Sequence, residues 1–414
     1  MIKKIINYKS LNYSLLDQAL VSGSNFLSTI IIARILGLND FGIFATLWII
    51  LLFINSLHVS IIVFPMMSLI PKQEKLKNYF ASLLVGQLLF VIIAFALALL
   101  FSLFYTTKMN LNISFNTIIL FSLTVGLYHM QDFYRRYFFS LKKFLDVFII
   151  DILTYLLRVI ILIYLFMASI PLSLENIFLI FVITFLLGAI IGVIKYEFVI
   201  NYQSLKNNFI EQWSLSKWLL PSGLMQWSSI NLFLVVASFL LGPTIVGIIR
   251  LGQNIVMAFN VVLQGIENFI PTDASQIFIN QGIKPLIEYL TKVTSIGLSF
   301  ILFFGGLVAY FSKEILLLVY GNTYVEYNDV VIWYAIILIF MFLLVVFRIF
   351  LRTTNHTKIW FKAYSITSIY SLIVVYPLLT QYGIYGVLLG ILSAHIVLIV
   401  STYFMIKKEF SNDN

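Results

Sequence analysis

The chain has 414 residues, of which 61% are hydrophobic and 10% charged, with no cysteine and a formal net charge of +9. A soluble domain carries about a quarter charged residues, so this composition excludes one, and the lack of cysteine excludes disulfides and thiolate metal sites. The apolar runs are about 20 residues long and do not alternate in twos, which excludes an outer-membrane barrel and favours transmembrane helices.

Twelve apolar segments follow one another along the chain, each long enough to cross a bilayer as a helix. Most lysines and arginines fall at the chain ends or in the connections that follow even-numbered segments. Because positive charge stays cytoplasmic, this bias predicts a multi-pass membrane protein with two cytoplasmic termini, and it accounts for the basic balance without a nucleic-acid partner. The predicted helices span 14–36, 42–70, 80–104, 116–134, 145–167, 174–196, 218–241, 245–268, 288–311, 329–350, 363–380 and 384–406.

An internal repeat relates the two halves of the chain. Residues 36–55 and 241–260 align without gaps, and the alignment pairs Gly37 with Gly242 and Asn55 with Asn260. Both copies begin on the same side of the membrane, so the repeat is parallel, a design that transporters use with the substrate site between the halves. The sequence therefore predicts an all-α polytopic membrane protein with twelve transmembrane helices in two parallel-repeat six-helix lobes around a central cavity. The predicted divisions are an N-terminal lobe 1–203, a cytoplasmic linker 204–217 and a C-terminal lobe 218–414.

Polar side chains recur on one face of several predicted helices. Such residues are costly in hydrocarbon, so they usually face a cavity or a partner helix. Hydrogen bonding that only holds the bundle together is an equally good interpretation for the amides. The polar residues are Asp17, Gln18, Asn25 and Ser28 in helix 1, Gln226 in helix 7, and Arg250, Gln253, Asn254, Asn260, Gln264 and Glu267 in helix 8.

Individual charges leave alternatives open. Arg34, at the outer end of helix 1, is expected to reach the headgroups. Arg158, in the middle of helix 5, either pairs with Asp151 two turns earlier or serves a cavity, and the two interpretations weigh equally. Asp17 either senses an ion or belongs to a solvated rim. His58, His129 and His395 are lone histidines and are expected to be polar packing residues.

The motifs of several enzyme classes are missing. The sequence contains no G-x-x-x-x-G-K-[ST] phosphate loop, no H-E-x-x-H metal pair and no G-x-S-x-G elbow. With four histidines and no cysteine, a metal site has few ligands to draw on. The predicted outer loops are short, which argues against a membrane glycosyltransferase. We therefore expect no enzymatic activity, no metal and no cofactor.

Four motifs together resemble one family. The motifs are Ala33-Arg34-Ile35-Leu36-Gly37 with Asp40-Phe41-Gly42, Val246-Gly247-Ile248 leading to Pro271, Leu318-Val319-Tyr320-Gly321 with Tyr324, and the basic connections Arg136–Lys143 and Arg348–Lys358. With twelve helices and the parallel repeat, the chain resembles the polysaccharide (O-antigen type) flippases of the multidrug/oligosaccharidyl-lipid/polysaccharide exporter superfamily. It departs from the family in Tyr320, where phenylalanine is common, and in Arg250, at a variable position.

The resemblance implies alternating-access translocation of undecaprenyl-pyrophosphate-linked oligosaccharide units across the bacterial inner membrane, for surface polysaccharide such as O-antigen or capsule. The implied partners are the lipid-linked oligosaccharide, membrane lipids and other polysaccharide assembly proteins. An ion-coupled drug exporter of the same superfamily is the alternative, and an oligosaccharide polymerase a more distant one. Phosphate is then expected at Arg250, Arg158 and Arg34, and ion coupling at Asp17 and Asp151. The sugar path would be lined by Gln253, Asn254, Asn25, Gln18 and Gln226.

Overall fold

A computed structural model describes residues 8–73, 76–194 and 202–411, and within these ranges the chain is helical and contains no strand. Its contacts divide it into two compact units. The first consists of Met1–Asp40 and Leu47–Gly223, and the second of Phe41–Thr46 and Leu224–Asn414. Two helices, α1 (Tyr8–His58) and α8 (Tyr202–Leu240), contribute residues to both units.

The first unit also contains two π turns, at Val59–Val63 and Ile152–Leu156, each of which widens a helix without ending it. Its remaining α-helices are α2 (Phe64–Leu69), α3 (Leu76–Lys108), α4 (Phe115–Ser140), α5 (Phe144–Asp151), α6 (Leu157–Met167) and α7 (Leu174–Ile194). Aromatic side chains of α3 and α4 fill its core, and the ring centroids of Phe80 and Tyr137 are 4.3 Å apart.

The second unit has a smaller core cluster that includes Leu344, Tyr364 and Leu398. Its helices are α9 (Pro243–Met257), α10 (Asn260–Gln281), α11 (Ile283–Tyr310), α12 (Ser312–Val319), α13 (Asn328–Thr353) and α14 (Thr357–Ser411). A 3₁₀ segment, Asn322–Tyr327, precedes α13.

Eight stretches of the described residues are long and apolar enough to cross a membrane. Two of them, Leu16–Lys72 and Thr357–Phe410, divide into two helices each, at Gly37 and at Gly383. The more polar α4 and the pair α9–α10 add one crossing each. This gives the twelve predicted helices and confirms the predicted fold class.

The parallel repeat is visible in the backbone of each unit. Gly37 has φ 71° and ψ 179°, and its repeat partner Gly242 has φ 90° and ψ 165°. Side-chain-bearing residues avoid this region of the Ramachandran map, so glycine is needed at both turns. The Leu-Gly pairs that aligned in the sequence therefore form the same sharp turn before the second helix of each half.

The two basic connections of the sequence motifs, after α4 and after α13, begin with the same hydrogen-bonded helix end. After α4, the amide of Lys143 donates to the carbonyl of Phe138 (3.0 Å), and Lys142 has φ 59°. After α13, the amide of His356 donates to the carbonyl of Leu351 (2.9 Å), and Asn355 has φ 61°. Both are Schellman caps, which close a helix through a left-handed residue.

The predicted linker 204–217 is helical as part of α8. Ser216 donates to the carbonyl of Ile61 (2.8 Å), and Asn208 donates to the hydroxyl of Ser82 (2.8 Å), so this segment packs within the first unit. Residues 195–201 lie outside the described ranges. The lobe boundary at 203 and 218 stays a prediction.

Candidate substrate and ion sites

Arg135 of α4 joins two buried carboxylates in the first unit. Its Nε donates to Asp151 Oδ2 (2.6 Å), and its Nη2 donates to Asp17 Oδ2 (2.9 Å). Gln131, one turn earlier on α4, donates to Asp151 Oδ1 (3.4 Å). Two carboxylates therefore share one guanidinium, and Asp17 Oδ1 has no hydrogen-bond partner.

Arg158 of α6 is fully buried, with 1% of its surface exposed. Its Nη2 donates to Asn25 Oδ1 (2.7 Å) and its Nε to the hydroxyl of Ser28 (3.3 Å), both on α1. Its Cζ lies 4.4 Å from the ring centroid of Phe181 and 5.2 Å from that of Tyr155. Its Nη1 has no partner, and no carboxylate of the described residues forms an ion pair with it. This cation is held by neutral oxygens and π faces alone.

The structure gives Asp151 and Arg158 different partners, so the pairing that the sequence left open does not form. Residues seven apart lie on the same face of an uninterrupted α-helix. Here the π turn Ile152–Leu156 lies between them. Such a turn accommodates one extra residue, which rotates the following side chains by about 100°. Asp151 consequently meets Arg135 of α4, and Arg158 meets α1.

The polar residues of α1 form two adjacent rows. Asp17, Ser24 and Ser28 are buried, and within this row Asp17 contacts Arg135 and Ser28 contacts Arg158. The second row consists of Gln18, Ser22, Asn25 and Thr29. In this row Gln18 donates to the hydroxyl of Ser22 (3.3 Å), and Gln18 and Asn25 are exposed. Asn25 therefore connects the exposed row to the buried Arg158.

The predicted stripe of helix 8 is interrupted, because α9 ends at Met257 and α10 begins at Asn260. In α9, Arg250 Nη1 donates to Gln253 Oε1 (2.8 Å), while Arg250 Nη2 has no partner. The side chain of Asn260 lies outside the described part of the chain. The continuity of the predicted polar face across this break stays a prediction.

Tyr320 and Arg348, which the sequence did not place at a site, contact predicted polar residues of the second unit. Asn254 Nδ2 donates to the hydroxyl of Tyr320 (2.9 Å), so the tyrosine that departs from the family pattern supplies the acceptor. Arg348 of α13 forms an ion pair with Glu267 of α10 (2.6 Å). Glu267 is thereby paired within this unit.

The remaining predicted residues are more exposed. Arg34 is exposed three residues before the turn at Gly37, and Gln226 is exposed on α8. In the first unit, the structure thus brings together Asn25 with Arg158, and Asp17 with Asp151 through Arg135. Within the described residues, no group of three or more histidines and carboxylates is placed to hold a metal ion.

Arg135 is the functional candidate that sequence reasoning missed. The sequence placed it in a cytoplasmic connection, since the predicted helix ended at 134. The observed α4 continues to Ser140 and has 26 residues. The i, i+4 spacings of Gln131 with Arg135 and of Asp132 with Arg136 were available as a sign that the helix continues.

Several solved membrane transporters have this fold. The lipid II flippase MurJ in its inward closed conformation matches with a TM-score of 0.71 and 15% identity over 96% of this chain and 87% of that one. An inward-facing multidrug resistance MATE family transporter of the MOP superfamily matches with 0.70 and 12%, over 97% and 95%. The Vibrio cholerae MATE transporter VcmN in its bent form matches with 0.60 and 14%, over 98% and 97%.

No family model and no curated protein matches the sequence. At these identities the structural likeness is one of fold. The predicted all-helical fold class is therefore confirmed, and this chain has the fold of the MurJ and MATE transporters.

Proposed function

We propose that the chain moves a polyprenyl-pyrophosphate-linked oligosaccharide across the bacterial inner membrane by alternating access, for surface polysaccharide assembly. The observation that carries the proposal is Arg158, a buried guanidinium with neutral partners and an unused Nη1. Desolvating an arginine without a counter-ion costs several kcal/mol, of the order known for buried ions. A protein that retains such a cation has a use for it, and an anion supplied by the substrate is the simplest use.

Pyrophosphate suits this arginine. A guanidinium presents five donors in a planar fork that matches phosphate oxygens. Asn25 Oδ1 and the hydroxyl of Ser28 occupy Nη2 and Nε, and both are neutral groups that an anionic oxygen can displace. Arg250 repeats this pattern in the second unit, where Gln253 is the neutral partner. Phosphate binding by Arg158, Arg250 and Arg34 is part of the proposal.

The saccharide requires a hydrated, hydrogen-bonding surface. The exposed row of Gln18, Ser22, Asn25 and Thr29 offers amides and hydroxyls along one side of α1. Sugar hydroxyls both donate and accept, so neutral amides match them without fixing one orientation. Gln226, Gln253 and Asn254 are the corresponding candidates elsewhere in the chain.

Ion coupling is proposed at Asp17 and Asp151. The two carboxylates and Arg135 carry one net negative charge in a buried place. A proton or sodium ion would neutralise it. In vesicles with an imposed proton or sodium gradient, Asp17→Asn and Asp151→Asn are expected to abolish the response to the gradient while equilibrium exchange continues. Loss of both activities, or of neither, would contradict the assignment.

The flippase proposal is tested with purified protein in unilamellar vesicles. The probe is a polyprenyl-pyrophosphate disaccharide with a fluorophore that a membrane-impermeant reductant quenches only in the outer leaflet. Protein should make the inner-leaflet probe accessible. A matched probe with a neutral linkage in place of the pyrophosphate should move more slowly. If the protein moves neither probe, the proposed function is wrong.

Variants separate the function from its site. Arg158→Gln is expected to slow the pyrophosphate probe at least about tenfold, because a charge-assisted hydrogen bond contributes roughly 1.5–3 kcal/mol. Arg158→Lys keeps the charge and should be less affected. Arg352→Gln, which alters an exposed arginine at the end of α13, is the control. An unchanged rate in Arg158→Gln would leave the transport function standing and remove Arg158 from the site.

A cationic-drug exporter is the second candidate. Its support is the fold of the MATE transporters and the net negative charge around Arg135. Expression in a host without its own multidrug pumps should then raise resistance to organic cations, and Asp17→Asn should abolish the gain. Resistance without movement of the lipid-linked probe would favour this alternative.

A further inference from the structure

Four buried polar residues and the partly exposed Arg136 form a second cluster in the first unit, separate from the proposed substrate and ion sites. We name it the His58 cluster. His58 ends α1, and Gln87 lies on α3. The other three members, His129, Asp132 and Arg136, lie on α4. His58, Gln87 and His129 are 0% exposed and Asp132 is 4% exposed, so these groups depend on each other for hydrogen bonds.

The hydrogen bonds of the cluster fix where the hydrogen of neutral His58 sits. Gln87 Nε2 lies 2.9 Å from the carbonyl oxygen of His129, and a carbonyl only accepts. The amide nitrogen of Gln87 is therefore on that side, and its Oε1 faces His58 Nε2 at 2.8 Å. Because Oε1 also only accepts, His58 Nε2 carries a hydrogen. In neutral His58 the other nitrogen, Nδ1, is then an acceptor.

This acceptor faces a carboxylate. His58 Nδ1 lies 3.9 Å from Asp132 Oδ2, and neither atom has a hydrogen-bond partner. Asp132 uses its other oxygen, Oδ1, to accept from Arg136 Nε (3.2 Å). Two buried lone pairs directed at each other are unfavourable, and a single proton on Nδ1 converts them into an ion pair.

We propose that His58 and Asp132 form a proton-binding site, in which the bound proton on Nδ1 joins α1 to α4 as an imidazolium–carboxylate pair. The interpretation of His58 as a simple packing residue accounts for Nε2 but leaves Nδ1 and Oδ2 unsatisfied. The site is distinct from Asp17 and Asp151, which are bound by Arg135.

Some of the groups around His58 favour protonation of its Nδ1, and others oppose it. Asp132 favours it, whereas burial and the guanidinium of Arg136 on α4 oppose it. From α3, Gln87 Oε1 accepts from Nε2 in either state, and the ring of Phe90 packs 5.0 Å from the His58 ring. The ring of His129 is also 5.0 Å away. Because two imidazolium ions at that distance repel each other, one proton is held by the pair at a time.

The ring orientation of His129 assigns that proton to His58. His129 Nδ1 lies 2.6 Å from the carbonyl oxygen of Val125, so Nδ1 carries a hydrogen and the ring is held by its own helix. Its Nε2 has no partner, and no carboxylate of the described residues is paired with it. Only His58 is directed at a carboxylate.

The site adjoins a π turn in a membrane helix. The π turn Val59–Val63 begins at the residue after His58, and Pro65 follows it. Proline has no amide hydrogen, which weakens the helix at this point. A proton-dependent ion pair between His58 and α4 therefore acts where the regular α-helix gives way to the π turn, and π turns are frequent at functional positions.

The test measures protonation directly and does not depend on the proposed substrate. The full-length protein, labelled with ¹⁵N only in histidine and held in lipid nanodiscs, is followed by NMR from about pH 8 to pH 5, the range in which histidine changes charge. The chain has four histidines, so His58→Gln identifies the His58 signals and His395→Gln serves as the matched control.

The expected result is that the Nδ1 signal of His58 shifts from the unprotonated to the protonated position in this range, while His129 stays neutral. Asp132→Asn should lower the titration midpoint by at least about one pH unit, because an opposite charge is removed. Asp132→Glu, which keeps the charge, should retain the transition if the asparagine variant fails to fold. A His58 that remains neutral down to about pH 5, or a midpoint that Asp132→Asn leaves unchanged, would overturn the proposal.

Discussion

Replacing Arg135 by glutamine is expected to destabilise the first unit more than the same replacement of an exposed arginine destabilises the protein. The side chain of Arg135 is 11% exposed and binds Asp17 and Asp151, whose side chains are 4% and 0% exposed. Removing it leaves two buried carboxylates without a counter-ion. Breaking a buried ion pair costs about 3–5 kcal/mol, which corresponds to a change of roughly 10²–10³ or more in an equilibrium constant.

Thermal unfolding of the purified protein in detergent, followed by size-exclusion fluorescence, provides the assay. Arg352→Gln is the control, because an exposed substitution usually changes stability by about 0.5 kcal/mol or less. The triple variant Arg135→Gln, Asp17→Asn, Asp151→Asn removes all three charges and should recover most of the lost stability, since the amides can bond to one another. The reasoning is refuted if Arg135→Gln melts like the control, or if the triple variant melts no higher than Arg135→Gln.

Two further predictions concern single positions. Gly37→Ala and Gly242→Ala should each cost about 1–3 kcal/mol in unfolding experiments, because alanine is strained at their φ and ψ although a methyl group would meet no atom within 4 Å. Gly306→Ala, inside α11 and equally uncrowded, should be neutral or slightly stabilising. Tyr320→Phe should lower stability by about 0.5–1.5 kcal/mol, since Asn254 loses its acceptor; an unchanged melting temperature would show that the Asn254 bond contributes nothing.

Much of the architecture could be predicted because it depends on length, apolarity and local turns. The alignment of Gly37 with Gly242 identified the repeat, and both residues adopt the same left-handed turn. The basic connections after α4 and α13 likewise have the same Schellman cap. These features are local, so a single sequence contains the information. The break between α9 and α10 is not signalled in this way, since Ala258 and Phe259 carry no helix-breaking side chain.

The partners of the buried charges could not be predicted, because they depend on contacts between helices far apart in sequence. Arg135 and Asp17 are separated by 118 residues. Residue type and position assigned Arg135 to a cytoplasmic connection, and nothing local indicates that it lies beside α1 and α5. The sequence did identify Asp17, Asp151, Arg158 and Asn25 as unusual, since each is costly in a membrane unless it has a partner.

The π turn Ile152–Leu156 explains why this unit has two arginine sites of different character. With regular α-helical geometry, Asp151 and Arg158 would lie on one face and would neutralise each other. The extra residue directs Asp151 to Arg135 and leaves Arg158 with Asn25, Ser28 and aromatic rings. The helix interrupted by this turn thus supplies Asp151 to the two-carboxylate site at Arg135. It also supplies Arg158, a cation that has no carboxylate partner among the described residues. The proposed function needs these two properties, a place for a coupling cation and a place for an anionic cargo, and the register shift keeps them apart within about two turns of helix.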